Sequence, residues 1–309
     1  APRGVAVNPR ANRVYVATSG GKEVTAIDGE SNEVVATIAV GKECWDLAAD
    51  PNTGRVFVSN RNSSTVSVID GQHDLVIGTV SVGFPPTGVA VNPDTGRVYV
   101  ASSTGGHLAV LDAVSNLLIA ALPLPSGSSA KAWDVAVDSS SNRVYVATSA
   151  AEASGADPGT IVVVDASNNS LIGSVAVPGP VQALAVDPAR GRIYAGSSAD
   201  DRMWVLDAGT NLVTSAVGLG GGLSGVDVDL ASGGVYVAHA DGSSLSSVSW
   251  MPGVTLAPGW TYACYFGAER PLADVLAGAG ASVLAVYRSG PEGSYDRWLP
   301  GMPGLSTIG

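Results

Sequence analysis

Charged residues and long apolar runs are both scarce in this sequence of 309 residues. Only 14% of the residues are charged, and 27 Asp and Glu outnumber 16 Lys and Arg, which gives a net charge of −11. Nucleic-acid phosphates and anionic membrane surfaces both need a basic patch, so we expect neither as a partner. The sequence has no run of about eighteen apolar residues, so it predicts no helix inserted in a membrane.

Cysteine is nearly absent as well. Cys44 and Cys264 are the only two, which is too few for a disulfide framework. The two would form one bridge in an oxidising compartment, or each would remain a separate thiol, and both alternatives stay open. The sequence also lacks a P-loop, a nucleophile elbow and a Cys-x-x-Cys motif. We therefore expect no cofactor and no metal site, and we assign no catalytic residue.

One short pattern recurs along the chain, an Arg followed by a hydrophobic, an aromatic and a hydrophobic residue. Six copies occur at steps of 42, 42, 46, 49 and 42 residues, and in the sixth copy Gly replaces the Arg. The copies are Arg13–Val16, Arg55–Val58, Arg97–Val100, Arg143–Val146, Arg192–Ala195 and Gly234–Val237. A regular step of this length is the signature of a repeat architecture.

Each repeat contains four short runs of β-branched and other apolar residues, separated by turn residues. In the first repeat the runs are Val5–Val7, Val14–Ala17, Val24–Ile27 and Val34–Ile38. Such runs predict antiparallel strands, and their nearly continuous apolar character predicts sheets that are buried on both faces. The sequence therefore predicts an all-β fold, a β-propeller of four-stranded antiparallel blades. The Asp that ends most third strands, such as Asp28, is expected to hold the following turn.

The segment VAVNPDTGRVYVAS, with the later runs TVSVID and LVIGTVSVG, resembles the YVTN family of β-propeller repeats. The resemblance covers residues 1 to about 250. It implies a propeller, usually of seven blades, in a secreted or surface protein of bacteria or archaea, and it implies no single activity. Because six repeats are visible, we expect a six- or seven-bladed ring in residues 1–252. The first repeat lacks the outer strand that should precede it, so we expect part of the array to be missing upstream.

Residues 253–309 no longer follow the repeat. The stretch Gly259–Gly267 predicts a strand and residues 269–280 predict a short helix. The segment resembles a small β module at the ends of bacterial extracellular repeat proteins, which has a Gly-Trp strand and a later Trp…Pro-Gly-x-Pro stretch. We expect a separate C-terminal β-rich module that is truncated at Gly309. The alternative is a substitute blade that closes the ring.

Two connections between strands are longer than their equivalents in other repeats. Leu122–Trp133 is four residues longer and Ala147–Thr160 is seven residues longer. In an up-and-down blade both connections emerge on the same face, which we call the inserted face and take as the candidate binding surface. Two repeats also carry a Trp-Asp pair there, Trp45-Asp46 and Trp133-Asp134.

An aromatic ring beside a carboxylate suits a sugar ring or a cationic side chain. The structural alternative is that each Trp wedges between blades and each Asp caps a turn. Three further residues are candidates for the channel. Asp227 takes a position that is Ala in other inner strands, which predicts either a buried carboxylate that needs hydrogen bonds or a raised pKa, or a carboxylate that lines a water-filled channel. Aligned repeats place His107 and His239 on the inserted face, but two His residues with scattered Asp residues make a poor metal site.

These features favour a non-catalytic binding scaffold, extracellular or at the cell surface, whose inserted face contacts a protein, a glycan or a second copy of the chain. The first alternative is a propeller enzyme of lactonase or lyase type, with His107, His239 and Asp227 converging on the channel. The second alternative is a structural subunit of a surface layer, sheath or filament, which the low charge and the many Gly and Ala residues would suit.

Overall fold

The computed structural model describes residues 2–18, 20–125, 131–149, 159–197, 199–220, 222–239 and 244–248, together with the backbone of three short strands within residues 286–308. Nearly all regular structure is β-strand, apart from two 3₁₀ turns at Arg61–Ser63 and Pro188–Arg190. In this part of the chain no helix has the length and apolar character needed to cross a bilayer.

The strands are grouped into sheets that follow the chain in order. Those of the first three sheets are β1 (Pro2–Asn8), β2 (Arg13–Thr18), β3 (Glu23–Asp28), β4 (Val34–Ala39), β5 (Cys44–Ala49), β6 (Arg55–Asn60), β7 (Thr65–Asp70), β8 (Leu75–Ser81), β9 (Pro86–Asn92), β10 (Arg97–Ser102), β11 (His107–Asp112) and β12 (Leu118–Pro123). Those of the next three are β13 (Lys131–Asp138), β14 (Arg143–Ser149), β15 (Gly159–Asp165), β16 (Ser170–Val177), β17 (Ala183–Asp187), β18 (Arg192–Ser197), β19 (Arg202–Asp207), β20 (Leu212–Gly218), β21 (Leu223–Val228), β22 (Val235–His239) and β23 (Ser244–Val248). Three C-terminal strands follow, β24 (Val286–Ser289), β25 (Tyr295–Trp298) and β26 (Ser306–Ile308).

Each sheet is an antiparallel meander, and the first six sheets are the blades of a propeller. Blades 1 to 5 have four strands each, and the described part of blade 6 has three, β21, β22 and β23. The innermost strands β1, β5, β9, β13, β17 and β21 pack against each other in chain order. The predicted all-β propeller of antiparallel blades is therefore confirmed, and so are the four strands predicted in the first repeat.

The core lies between neighbouring blades. Tyr15 and Ala17 of blade 1, for example, are fully buried in one cluster with Leu47, Val56 and Val58 of blade 2. The pattern repeats around the propeller, because one face of each blade carries the aromatic residue of the repeat and the opposite face carries its Val, Leu or Ile residues. Each blade therefore depends on its neighbours to bury its faces.

Polar contacts on the face opposite the inserted face tie each blade to the next. The Tyr15 hydroxyl donates to the Gly71 carbonyl oxygen of blade 2 at 3.0 Å. Arg55 Nη1 of blade 2 donates to the Ala113 carbonyl oxygen of blade 3 at 2.5 Å, and the Tyr99 hydroxyl of blade 3 donates to a carbonyl of blade 4 at 3.4 Å. Tyr15, Arg55 and Tyr99 therefore act as clamps that reach the turn after the third strand of the following blade.

The Asp residues that end the third strands hold their turns, as predicted. In blade 3, Asp112 Oδ1 accepts from the backbone N–H groups of Val114 at 3.1 Å and Ser115 at 2.7 Å. These donors lower the pKa of the Asp112 carboxyl below its ordinary value. The equivalent carboxyls of Asp28 and Asp165 have lowered pKa values for the same reason, hydrogen bonds from turn residues.

The prediction that every sheet is buried on both faces is wrong for the fourth strands. They form the outer edge of each blade and expose aliphatic side chains, because no further strand covers them. These side chains are Val34, Val35, Leu75, Ile77, Leu118, Ile119, Leu171, Ile172 and Leu212.

The C-terminal residues form a further antiparallel sheet with the order β24-β25-β26. The first of its strands falls within residues 282–290, where a run of apolar residues also predicts a strand. The strand predicted at Gly259–Gly267, the helix predicted at residues 269–280 and the choice between a module and a closing blade all lie outside the described residues.

Candidate functional site

Both long connections lie on the inserted face, where β1 begins and β2 ends. One joins β12 to β13 and the other joins β14 to β15, so the prediction that they emerge together is confirmed by the strand order. The described residues on this face centre on the two Trp-Asp pairs. Each pair falls at a bulge, where the register of β5 against β6 shifts between Cys44 and Leu47, and that of β13 against β14 shifts between Ala132 and Asp134.

Trp45 is half-buried and is contacted by two guanidinium groups. The Arg3 carbon Cζ lies 3.1 Å from the centroid of the indole, and Arg61 Cζ lies 4.4 Å from it. Arg61 also forms an ion pair with Glu43 at 3.6 Å. Burial and the neighbouring charge of Arg61 lower the pKa of Arg3. The positively charged partner that the sequence predicts for this ring is therefore supplied by the protein itself.

Trp133 has a comparable but looser environment. Its Nε1–H donates to Ser149 Oγ at 2.7 Å, which fixes the ring against blade 4. The ammonium group of Lys131 lies 5.6 Å from the ring centroid. The two tryptophans are thus held at separate blades, each half-buried and each beside a cationic side chain.

Asp46 joins two blades rather than pointing freely at solvent. Its Oδ2 accepts from the backbone N–H of Val89 in blade 3 at 2.9 Å. On its other side it is packed against Gly4 of blade 1, where an added Cβ would come within 2.7 Å of Asp46 Cα. Burial is the main reason that the pKa of the Asp46 carboxyl is raised to about 6, and the donated hydrogen bonds together with Arg3 act in the opposite direction.

Asp134 makes the same connection two blades later. Its Oδ2 accepts from Leu184 N–H in blade 5 at 2.7 Å, and its Oδ1 accepts from Val135 N–H at 2.8 Å. Gly88 of blade 3 lies against it, where an added Cβ would be 2.6 Å from Asp134 Cα. Burial, followed by repulsion from Asp46, raises the pKa of the Asp134 carboxyl to about 7.

Both carboxylates thus form hydrogen bonds that link neighbouring inner strands, a structural role that differs from the turn cap considered as the alternative. The sequence carries a signal for this role, since each Asp is matched by a Gly at the equivalent position of the preceding repeat. Sequence reasoning missed a second set of links on the same face. Ser59 Oγ donates to the Thr87 carbonyl at 2.6 Å, and Thr87 Oγ1 donates to the Ala132 carbonyl at 2.7 Å.

Within the described residues, the carboxylate of Asp227 is not buried, in contrast to the equivalent Ala6 and Ala185, and its burial by a further segment stays a prediction. Its side chain is exposed, and its Oδ1 accepts from the N–H of Val228 at 2.8 Å. The equivalent Ala residues are covered by the following blade, whereas no described residue covers this face of blade 6. Asp227 therefore lies on the same uncovered face of the sheet as Tyr236.

The two histidines lie on the inserted face but in different blades. His107 begins the third strand of blade 3, where its ring stacks on Phe84 with centroids 5.8 Å apart. His239 ends the second strand of blade 6, is buried, and places Nε2 2.9 Å from Ser246 Oγ. Within the described residues, no three His, Cys, Asp or Glu side chains are grouped as metal ligands would be.

Cys44 is fully buried between blades 1 and 2. Its Sγ–H is placed 3.3 Å from the carbonyl oxygens of both Thr18 and Glu23. Cys264 lies outside the described residues, so its pairing with Cys44 stays a prediction.

Comparison with known proteins supports the fold and identifies no function. No known protein family matches the chain, and no curated protein does either. Among solved structures it is similar to hydrazine synthase of Kuenenia stuttgartiensis, with 15% identity, a TM-score of 0.59, and coverage of 81% of this chain and 95% of that chain. It is also similar to a chain of a mitotic checkpoint complex, with 16% identity, a TM-score of 0.66, and coverage of 81% and 73%. At identities this low, each similarity shows that the chain shares the β-propeller fold with that structure and nothing more.

Proposed function

We propose that this protein is a non-catalytic binding scaffold, extracellular or at the cell surface, that recognises a protein or glycan through its inserted face. The resemblance of its repeats to the YVTN family supports the location. Propellers commonly bind their ligands at the loops and the channel mouth of one face. In this protein the inserted face is the one with the two long connections.

One observation carries the proposal. The inserted face combines two half-buried tryptophans with cationic side chains beside each ring, Arg3 and Arg61 at Trp45 and Lys131 at Trp133. Trp and Arg are the residue types that most often dominate binding energy at interfaces. The half-buried indole edges and the exposed Arg3 offer apolar, aromatic and hydrogen-bonding contacts close together.

The test screens the full chain against an array of neutral and acidic glycans and against a displayed peptide library. The double variant Trp45→Ala/Trp133→Ala is compared with His73→Ala, whose side chain is 64% exposed on the opposite face. We expect a ligand that binds the parent chain and His73→Ala equally and binds the double variant at least ~10-fold more weakly. If the double variant has a native circular dichroism spectrum and binds as well as the parent, the two tryptophans do not form the binding site.

A second function, a subunit of a layer or filament, is favoured by the outer strands. In β4, β8, β12, β16 and β20 there is no charged residue, although each strand exposes aliphatic side chains. Edge strands that stay monomeric usually carry charges that block pairing with another chain. These uncharged edges therefore suit lateral contact between copies.

Sedimentation of the parent chain and of Ile119→Lys/Ile172→Lys tests this second function. We expect the parent to associate as its concentration rises and the variant to remain a monomer. Val114→Lys is the control, because Val114 is 65% exposed but belongs to a turn. A parent chain that is monomeric at the highest soluble concentration would exclude a role as a subunit of a layer or filament.

A further inference from the structure

Within the described residues, the first and sixth blades each leave one face uncovered that the equivalent blades bury. In blade 1, Val5 is 58% exposed and Val7 is 62% exposed. The equivalents of Val5 in blades 2 to 5 are all 6% exposed or less, and they are Leu47, Val89, Val135 and Leu184. Val14, Val16 and Ile27 of the same blade are only half-buried, although the matching Val56, Val58 and Ile69 of blade 2 are fully buried.

In blade 6 the opposite, aromatic face is uncovered. Tyr236 is 42% exposed and Leu245 is 67% exposed. Every equivalent of Tyr236 is 0% exposed, namely Tyr15, Phe57, Tyr99, Tyr145 and Tyr194. Among the described residues, β21 and β1 are not packed against each other as the other successive inner strands are. The two uncovered faces are those that would meet a blade standing between blade 6 and blade 1.

We propose that residues 249–309 of this chain occupy that position and close the ring as a seventh blade. The segment follows β23 directly, so it begins at blade 6, next to the uncovered face of that blade. It is longer than the 42-residue step of most repeats, and its three described strands form an antiparallel meander like that of a blade. It is also the one part of the sequence that the six repeats do not use.

The chemistry of the segment matches the face that it would cover. In the six blades, a Val-rich face such as that of blade 2 packs against the aromatic face of the preceding blade. The segment holds eight of the eighteen aromatic residues of the chain. They are Trp250, Trp260, Tyr262, Tyr265, Phe266, Tyr287, Tyr295 and Trp298. This is enough aromatic surface to cover the exposed valines of blade 1.

Blade 6 also lacks the clamp that joins one repeat to the next. Gly234 stands where Arg55 and Arg143 donate to turns of the following blade. Blade 6 therefore offers its neighbour no Arg clamp, which is compatible with a neighbour that lacks the repeat pattern, such as residues 249–309.

The test uses the full chain with Cys264→Ser and one introduced thiol at a time. Val5→Cys and Val7→Cys probe the uncovered face, and Val114→Cys is the control because its exposure in the six blades is closely similar, at 65%. We expect maleimide to label the first two at least ~10-fold more slowly than the control, at a rate independent of protein concentration. Equal labelling rates in the folded protein would overturn the proposal.

A photo-crosslinking amino acid at position 7 then identifies what covers the face. We expect crosslinks within one molecule to peptides from residues 249–309. Crosslinks between isotopically distinct copies, or protection that grows with protein concentration, would show that a second copy fills the opening. Either result would overturn the proposal, as would crosslinks to any other part of the same chain.

Discussion

Asp134 in blade 4 accepts a hydrogen bond from the backbone N–H of Leu184 in blade 5, at 2.7 Å. Asp46 makes the same link between blades 2 and 3, through the N–H of Val89. A carboxylate that joins two inner strands satisfies a backbone donor at the blade boundary, where no sheet partner is in place to do so.

Replacing either linking carboxylate should destabilise the propeller. Asp134→Ala leaves the N–H groups of Leu184 and Val135 without their acceptor, which costs about 1–3 kcal/mol in the free energy of unfolding. Urea denaturation followed by tryptophan fluorescence measures the change. Asp94→Ala is the control, since Asp94 is exposed in the turn between β9 and β10, and it should stay within about 0.5 kcal/mol of the parent. Equal stabilities of Asp134→Ala and the parent would exclude the linking role.

Stability should fall as the pH rises from about 4 to about 7. The pKa values of Asp46 and Asp134 are raised to about 6 and about 7 in the folded protein, above the ordinary value near 3.9 that they regain on unfolding. Between these limits the folded state binds more protons than the unfolded state, so rising pH favours unfolding. The turn carboxyls with lowered pKa values, such as Asp112, act oppositely, and their contribution is lost as the pH falls below about 4.

The measurement compares unfolding free energies at pH 5 and pH 8. In Asp46→Asn/Asp134→Asn, neither side chain titrates, so the loss of stability between these pH values should be smaller than in the parent. The double variant is expected to be less stable overall, because an amide offers one acceptor fewer than a carboxylate. A variant that keeps the full slope of the parent would assign the pH dependence to other groups.

Asn32 in the turn between β3 and β4 has a left-handed backbone with φ 59°. The same position is left-handed in the next four blades, at Asp74, Asn116, Asn169 and Asn211. Because Ala tolerates this region poorly and Gly tolerates it well, Asn32→Ala should cost about 1 kcal/mol and Asn32→Gly should be close to neutral. Thermal unfolding of the two variants, which share the loss of the amide, separates backbone strain from side-chain contacts. Equal effects would contradict the explanation.

Cys44 should be unreactive in the folded protein. In a Cys264→Ser background, its buried thiol is expected to react with Ellman's reagent only after unfolding in guanidinium chloride. Counting thiols in the unfolded parent chain, purified without reductant, then decides between two free thiols and one disulfide. Rapid reaction of Cys44 in the native state would show that blades 1 and 2 separate more easily than their packing implies.

Local sequence patterns predict the blades well, because each strand and turn depends on residues close in the chain. Arg97–Val100 and Asp112 define a strand and its turn within one repeat. The role of Asp134 could not be read in this way, since its partner Leu184 lies 50 residues further along, in another blade. The environment of Asp227 could not be predicted for a related reason. Its burial depends on whether a following blade covers β21, and no residue near Asp227 reports this.

The clamps all point forward along the chain, from Tyr15 and Arg55 to the blade that follows each of them. During synthesis, a blade cannot form these contacts until the turn of the following blade has been translated. A chain that ends after one of these blades would therefore leave the Arg or Tyr of its last blade without an acceptor.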